Sequence, residues 1–587
     1  MKTMKTSCEV RFGFVDVGAS KAAHLSANAN QQSWANISHI NRLSAPSLPN
    51  VATLEPEFGW PLDGSKEWLP AAPREVPWGW WSRDLSGQDG RFGTPPQLTI
   101  TFAADSGSPT THSSPGITLL CPATLPREVV AQWYGPSGQS LGRVSTRIDP
   151  GITNGEVFID HPVSDYSKVT ITVQSLAEPD RYLRISAIRF GRLEVLTGST
   201  LISASAISDV DPTGLTLPAS QVDITFRSHG IDPMDPSGIH AMLQYRQTLD
   251  VYRYIDDMEE YVGRYYLLRS ESTPADNAAS TLSTATDMQD PGIVSITATS
   301  IIGMLGDIPH QGGIYRYAPL DAVIGSILDP EGVKWELIDY ISSTVNGYLP
   351  IGTKRSALQQ ILFAIGAVLI DSGGMVTIRP AADLAAAPPT DITADRKIRG
   401  HKVNLSDKLV TQVTIISHSY TLATEATEII AGDFTAGIHD IVFREPVKVG
   451  TVSGCTLVKM YANGCKIQVD KPGPVSIFGR VYIDAQAVHT RTAQGIPAGV
   501  RPFTQKIEKA TLVSPDLAPA VAARLLDYYQ QRYIAEGGLL PGWEHAGDHV
   551  RIVSGTRGVD GVVERISTDL TGGGIETVRV IGKVVDV

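Results

Sequence analysis

The sequence predicts a mainly β multidomain fold with an α/β insert, and three observations lead there. The chain has 587 residues, more than one hydrophobic core normally organises, which at about 150 residues per domain implies roughly three to five domains. Apolar and polar residues alternate in many short runs separated by Gly, Pro, Ser and Asp, the period of half-buried strands. Helical periodicity is confined to one central block and one late segment.

Residues 1–50 combine a short alternating run at Val10, Phe12 and Phe14 with a polar Ser/Asn/Ala-rich stretch, which predicts an arm, either ordered against a neighbouring subunit or flexible. Over 51–195, alternation at Leu98, Ile100 and Phe102, at Val169, Ile171 and Val173, and at Leu183 and Ile185 predicts one antiparallel β-sandwich. Turns at Asp105–Pro109 and Gly135–Gly138 break those runs. Strands at Leu249–Tyr254 and Tyr261–Leu268, with a short helix inside 231–247, predict a barrel-like β domain over 196–300.

The 301–395 block changes period. Ala322, Ile324, Ile327 and Leu328 share one helical face, and Leu358, Ile361, Leu362 and Ile365 share another. Thr353 suits the second helix's N-cap, Gly366 its end, and Asp371–Gly374 a hairpin turn, so this is the α/β unit. The Ala/Pro run Ala381–Pro389 reads as a boundary. Strands at Val413–Ile416, Ile438–Phe443, Cys465–Val469 and Val475–Ile483 predict a β domain over 396–500. In 501–587 a helix opened by Ser514 and Pro515, with Leu517, Val521 and Leu525 on one face, closes before Gly537-Gly538. Strands at Lys506–Val513, His549–Val553, Gly561–Ser567 and Thr577–Ile581 supply a small barrel for it.

A formal net charge of -12 without a cluster of Lys or Arg argues against specific nucleic-acid binding, since phosphate affinity comes from clustered cations. Cys8, Cys121, Cys455 and Cys465 are too scattered for a disulfide scaffold, and no CxxC pair suits zinc, so a reducing site of folding is expected. Cys455 and Cys465 flank Asn463-Gly464, where a cross-strand pair is conceivable and two independent buried thiols are the favoured reading. The opening residues lack a signal peptide's apolar core, and the longest apolar run, Ala357–Ile370, is too short to span a membrane. The expectation is therefore no transmembrane segment, synthesis in a cytoplasm, and exit by assembly or lysis.

GxSxG, HExxH, GxxxxGK[ST] and GxGxxG are all missing, which lowers the prior for an enzyme, and no catalytic residue, metal site or cofactor is expected. Asp256, Asp257, Glu259 and Glu260 form the densest acidic cluster and read as a solvated edge. His545 and His549 have a helical chelating spacing, but Pro541-Gly542 and Gly547 make the segment a turn and the pair surface histidines.

Six of the nine tryptophans lie between Trp60 and Trp133. Trp78, Trp80 and Trp81 share a Pro/Gly-bounded loop with Arg83, Asp84 and Asp89. Aromatic planes stack on the C–H faces of sugars while charged side chains take the hydroxyls, so these six residues are the candidate glycan-binding site. The competing reading is that the rings fill the sandwich core.

Several stretches resemble a family of phage and prophage tail proteins related to baseplate and tail-tip hubs. They are ATLEPEFGWPLDGS at 52–65, GWWSRDLSGQDGRFGTPPQLTITF at 79–102, SSPGITL at 113–119, AIRFG at 187–191 and YLPIGTKRSALQQILFAIGAVL at 348–369. The first resembles the start of a galactose-binding-like, or discoidin-like, jelly-roll sandwich, which implies glycan recognition by loops at one end. Ser514–Tyr533, GDHVRI at 547–552 and GVVERISTDLTGG at 561–573 resemble the helix and closing hub-type β-barrel of such proteins, with paired tyrosines here at Tyr528 and Tyr529. The resemblance implies a virion structural protein in the tail baseplate or tip, assembled in the host cytoplasm. It also implies a homotrimer around the tail axis and, as partners, the tail tube, distal tail protein, fibre or spike, and host cell-surface polysaccharide. An acidic lumen would keep passing DNA from sticking. The alternatives are a host-receptor adhesin and a cell-envelope-degrading hydrolase with a carbohydrate module.

Overall fold

The computed structural model describes residues 5–587 except 28–31, 34–50, 53–54, 56–66, 69–78, 105–106, 122, 149–154, 199, 228–242, 244, 257, 274–292, 341–342, 407–408, 497–498, 500 and 572–573. The helix expected within 231–247 falls almost wholly outside these residues.

The chain is mainly β with an α/β insert. Its largest element is a 13-stranded sheet. The strand Thr6–Val15 lies inside it, antiparallel to Gly191–Leu196 on one side and to Thr248–Ile255 on the other. This differs from the expected arm. Val10, Phe12 and Phe14 all face a buried core, so the alternating run pairs within its own chain, neither against a neighbouring subunit nor as a flexible terminus. Asp16 then caps the helix Val17–Ala22 by accepting from the Ala19 amide at 2.9 Å.

The sandwich packs a five-stranded sheet, in the order 140–147, 126–134, 168–176, 97–102 and 23–27, against the three strands 156–166, 112–120 and 187–189. Leu98, Ile100, Phe102, Val169, Ile171 and Val173 alternate inward into one shared core, as their period predicts.

The insert carries the helices Leu320–Leu328 and Lys354–Ile365. Thr353 and Ser356 form a reciprocal capping box, and Gly366 ends the second helix at φ 75°, a left-handed conformation costly for any side chain. The following hairpin, Ala367–Ser372 with Met375–Pro380, turns through Gly373 and Gly374, both at positive φ.

Between 412 and 492 the chain forms a long ribbon, Gln412–Leu422 against Gly473–Thr492, and projects a small sandwich from its end with its own core around Ile467, Val469, Val475 and Ile477. All four cysteines are free thiols. The register sets Met460 opposite Cys465 and Thr456 opposite Gln468, so Cys455 and Cys465 do not face each other across the ladder. Thr504–Ile507 joins this ribbon, parallel to Gln412–Ile415, so of the strand expected at Lys506–Val513 in the closing barrel only Lys506 and Ile507 are strand, and they belong to the ribbon.

The last helix runs Ala518–Tyr529. Ser514 accepts from the Leu517 and Ala518 amides in a turn, and the helix begins four residues after the predicted cap, with Pro519 in its first turn, where a missing amide leaves nothing unsatisfied. Gly537 and Gly538 lie in the strand Tyr533–Leu539. The strands Leu201–Asp209 and Arg557–Asp569 pair antiparallel, which fuses the early and late β domains into the single large sheet around two cores.

Candidate functional site

The tryptophan loop is built inward. Gly79 sits at φ 80°, and a Cβ there would lie 2.2 Å from the Ile185 carbonyl oxygen, so only glycine fits. It delivers Trp80 and Trp81 as a two-residue strand against Arg184–Ile185. Trp80 is buried within the sandwich core. Trp81 is buried beneath the Arg184 guanidinium, 4.1 Å from its ring centroid. Arg184 is held by the fully buried carboxylate of Glu55, which also accepts from the Tyr182 amide at 3.0 Å. Burial depresses the Arg184 pKa, and Glu55 opposes that shift.

This corrects the glycan-binding assignment for two of its six residues. The faces of Trp80 and Trp81 do not reach solvent, because they complete the core and its lid. Arg83, Asp84 and Asp89 are exposed on the following loop, where the Asp84 carbonyl accepts from the Ser82 hydroxyl at 2.9 Å and the Asp89 carboxylate accepts from the Arg91 amide at 3.0 Å. Trp78 lies outside the described residues.

A second cluster, not anticipated from the sequence, joins segments hundreds of residues apart. Arg253 projects inward beside Cys8 in the register of Thr6–Val15. It donates to Glu260 at 2.6 Å, to the fully buried Glu576, and to the Gly542 carbonyl at 2.9 Å. Glu260 also receives His545 at 2.8 Å. Burial alone would raise the Glu260 pKa, but hydrogen bonds and charge from His545 and Arg253 outweigh it and hold the group below its usual range. The hydrogen bonds to Asp548 and Glu260 push the His545 pKa up to about 10. Arg396 adds a two-pronged pair with Glu544. Glu260 is thus a part-buried anchor for Arg253 and His545, in place of the expected solvated edge. His549, expected at the surface, is held between the Ala387 carbonyl at 2.6 Å and Asp560 at 2.8 Å.

The paired tyrosines close the last helix onto the strand Arg557–Asp569 of the large sheet. Tyr528 donates its hydroxyl to Glu564, and its ring meets that of Tyr529 edge-on at 5.6 Å. A cavity of about 500 Å³ opens beside them, lined among others by Arg524, Asp527, Lys583 and Ala381–Ala382.

Exposed apolar side chains are spread over the surface, and two groups of them stand on open strand edges. Val403 and Leu405 stand on Lys402–Leu405, the outermost strand of the large sheet, next to exposed Tyr533. Ile438, Val442, Val458 and Met460 stand on the projecting small sandwich. Open strand edges that carry apolar side chains suit contact with another chain. Among the described residues no cluster of three or more His, Cys, Asp or Glu could hold a metal ion, and no helix is long and apolar enough to cross a membrane.

No family model matches the chain, and no curated protein matches it in sequence. Solved structures resemble it loosely. A tail protein from Neisseria meningitidis MC58 aligns with TM-score 0.39 and 9% identity over 66% of this chain and 94% of its own. A prophage tail protein from Listeria monocytogenes EGD-e gives 0.38 and 13% over 67% and 91%. The 43 kDa tail protein of prophage MuSo2 from Shewanella oneidensis gives 0.38 and 12% over 66% and 95%.

Proposed function

We propose that this chain is a non-enzymatic structural subunit of a phage-type tail, a hub or tail-tip protein that closes the distal tail tube as a homotrimer. The observation that carries the reading is where the hub-like stretches fall. His549–Ile552 of the first stretch and Gly561–Asp569 of the second lie in the adjoining strands His549–Ser554 and Arg557–Asp569, and the helix that ends in Tyr528 and Tyr529 docks on them through Glu564. A helix packed on a closing barrel is what the resemblance implies for these residues. Fusion of both β domains into one sheet gives each subunit a stiff body, and stiff bodies with repeated edge contacts close into rings.

In this reading the strand edge at Val403 and Leu405 meets a second copy, other tail proteins occupy the remaining faces, and the virion tail is the site of work. The sandwich is a mounting, and any host polysaccharide would be met by exposed positions such as Arg83, Asp84 and Asp89. Purified protein and tail particles imaged by electron microscopy test the proposal. Three-fold rings at the tail's distal end are expected, and a monomer that never enters particles would overturn it.

A further inference from the structure

The insert and the last helix meet the late strands of the large sheet along a seam that is incompletely packed. Two cavities open there, the one of about 500 Å³ described above and a smaller one of about 70 Å³ between the Asp371–Gly373 turn and the strand Arg557–Asp569. Each is lined by a part-buried carboxyl group with at most a distant ionic partner. Asp371 Oδ2 is a buried atom that makes no close hydrogen bond, and the Ser300 hydroxyl beside it only partly offsets the effect of burial. Glu564 takes the Tyr528 hydroxyl, has Arg579 only at 3.8 Å, and faces the carboxylates of Asp209 and Asp211.

A carboxylate in such a place must either be solvated by rearrangement or take a proton. We propose that this seam is a pH-responsive joint, closed when Asp371 and Glu564 are protonated and loosened when they ionise. The inference goes beyond the tail assignment and does not depend on it.

Burial pushes Asp371 up to about 6 and Glu564 up to about 7. Because both folded values exceed the ordinary carboxyl range, the penalty on the closed seam appears as pH rises above that range and is complete once pH passes the folded values. The groups around Asp371 do not cancel this. Glu260, Tyr261, Tyr265 and Glu544 bring no positive charge, while Arg253 and His545 are already engaged by Glu260. Tyr266 also senses the Asp371 charge. Around Glu564, Lys583 and Arg524 line the cavity with Asp527, Asp560 and His549, and Arg524 donates to the Phe363 carbonyl at 2.9 Å. The hairpin has a ready pivot in Gly373 and Gly374.

Hydrogen exchange of the full chain, corrected for intrinsic rate, tests the joint at pH 5 and pH 8. Opening of 367–380 and 518–529 should increase at least about tenfold between these values, since each unit of pKa shift is a factor of ten in the equilibrium. Asp371→Asn with Glu564→Gln, near-isosteric with the protonated acids, should remove the increase, whereas His549→Gln should keep it. An unchanged increase in the double variant, or its loss in His549→Gln, overturns the proposal. Infrared spectra of the unmodified protein at pH 6 give a second reading that needs no variant: a protonated carboxyl band is expected, and its absence also overturns it.

Discussion

Arg253 and Glu576, 323 residues apart, form a buried ion pair that ties the early half of the large sheet to the last strand of the late half. Glu576 is fully buried, and burial raises its pKa against the pull of Arg253. Removing the arginine leaves two carboxylates, Glu260 and Glu576, without their main counter-charge.

Arg253→Ala should therefore destabilise the protein by about 3–5 kcal/mol, the usual cost of orphaning one partner of a buried pair. Arg253→Met with Glu576→Leu should lose less than Arg253→Ala alone. Denaturant unfolding checks both, and a double variant as weak as the single would refute the pairing argument.

Trp80→Ala should remove about 3–5 kcal/mol from the sandwich by leaving a cavity in its core. Near-ultraviolet circular dichroism and limited proteolysis would report a loosened sandwich. If the variant instead keeps wild-type stability and loses only glycan binding, the burial described for Trp80 does not govern its role.

The loop 541–548 should be held most firmly near pH 5–6. The raised pKa of His545 means that its contribution is complete below the ordinary histidine value and fades as pH climbs towards about 10. Glu260, held below its usual range, contributes above the ordinary carboxyl value and fades as pH falls through its lower folded value. Hydrogen exchange across that loop should show protection falling from pH 7 to pH 10, and His545→Gln should flatten the fall.

Val403→Glu with Leu405→Glu places charge on the outermost strand without touching a core. The expected result is a folded protein that no longer self-associates by light scattering. Unaltered assembly would move the subunit contact elsewhere.

Much of the architecture was readable because it depends on period and turn chemistry. Leu98, Ile100 and Phe102 announce a half-buried strand, and Thr353 with Gly366 brackets a helix by the backbone needs at its two ends. What escaped depends on contacts distant in sequence. Nothing local to Val10, Phe12 and Phe14 says that their neighbours are Val251 and Leu249. The tryptophans were misleading because exposed stacking and core filling demand the same ring. Arg253 did leave a trace, since it follows Leu249 and Val251 at an inward position of an alternating run, where a charge requires a partner. The sequence could not say which residue that was.

The placement of Thr6–Val15 between Gly191–Leu196 and Thr248–Ile255 also bears on how the molecule comes together. A strand at 6–15 leaves the ribosome well before its partners at 191–196 and 248–255, and a long open loop between them would make that meeting slow. The sandwich occupies that interval and can collapse by itself, bringing residue 15 beside residue 191 before the neighbour at 248–255 has been translated. Its part in biogenesis is then that of a splint, shortening the search that lets the strand Thr6–Val15 find its place.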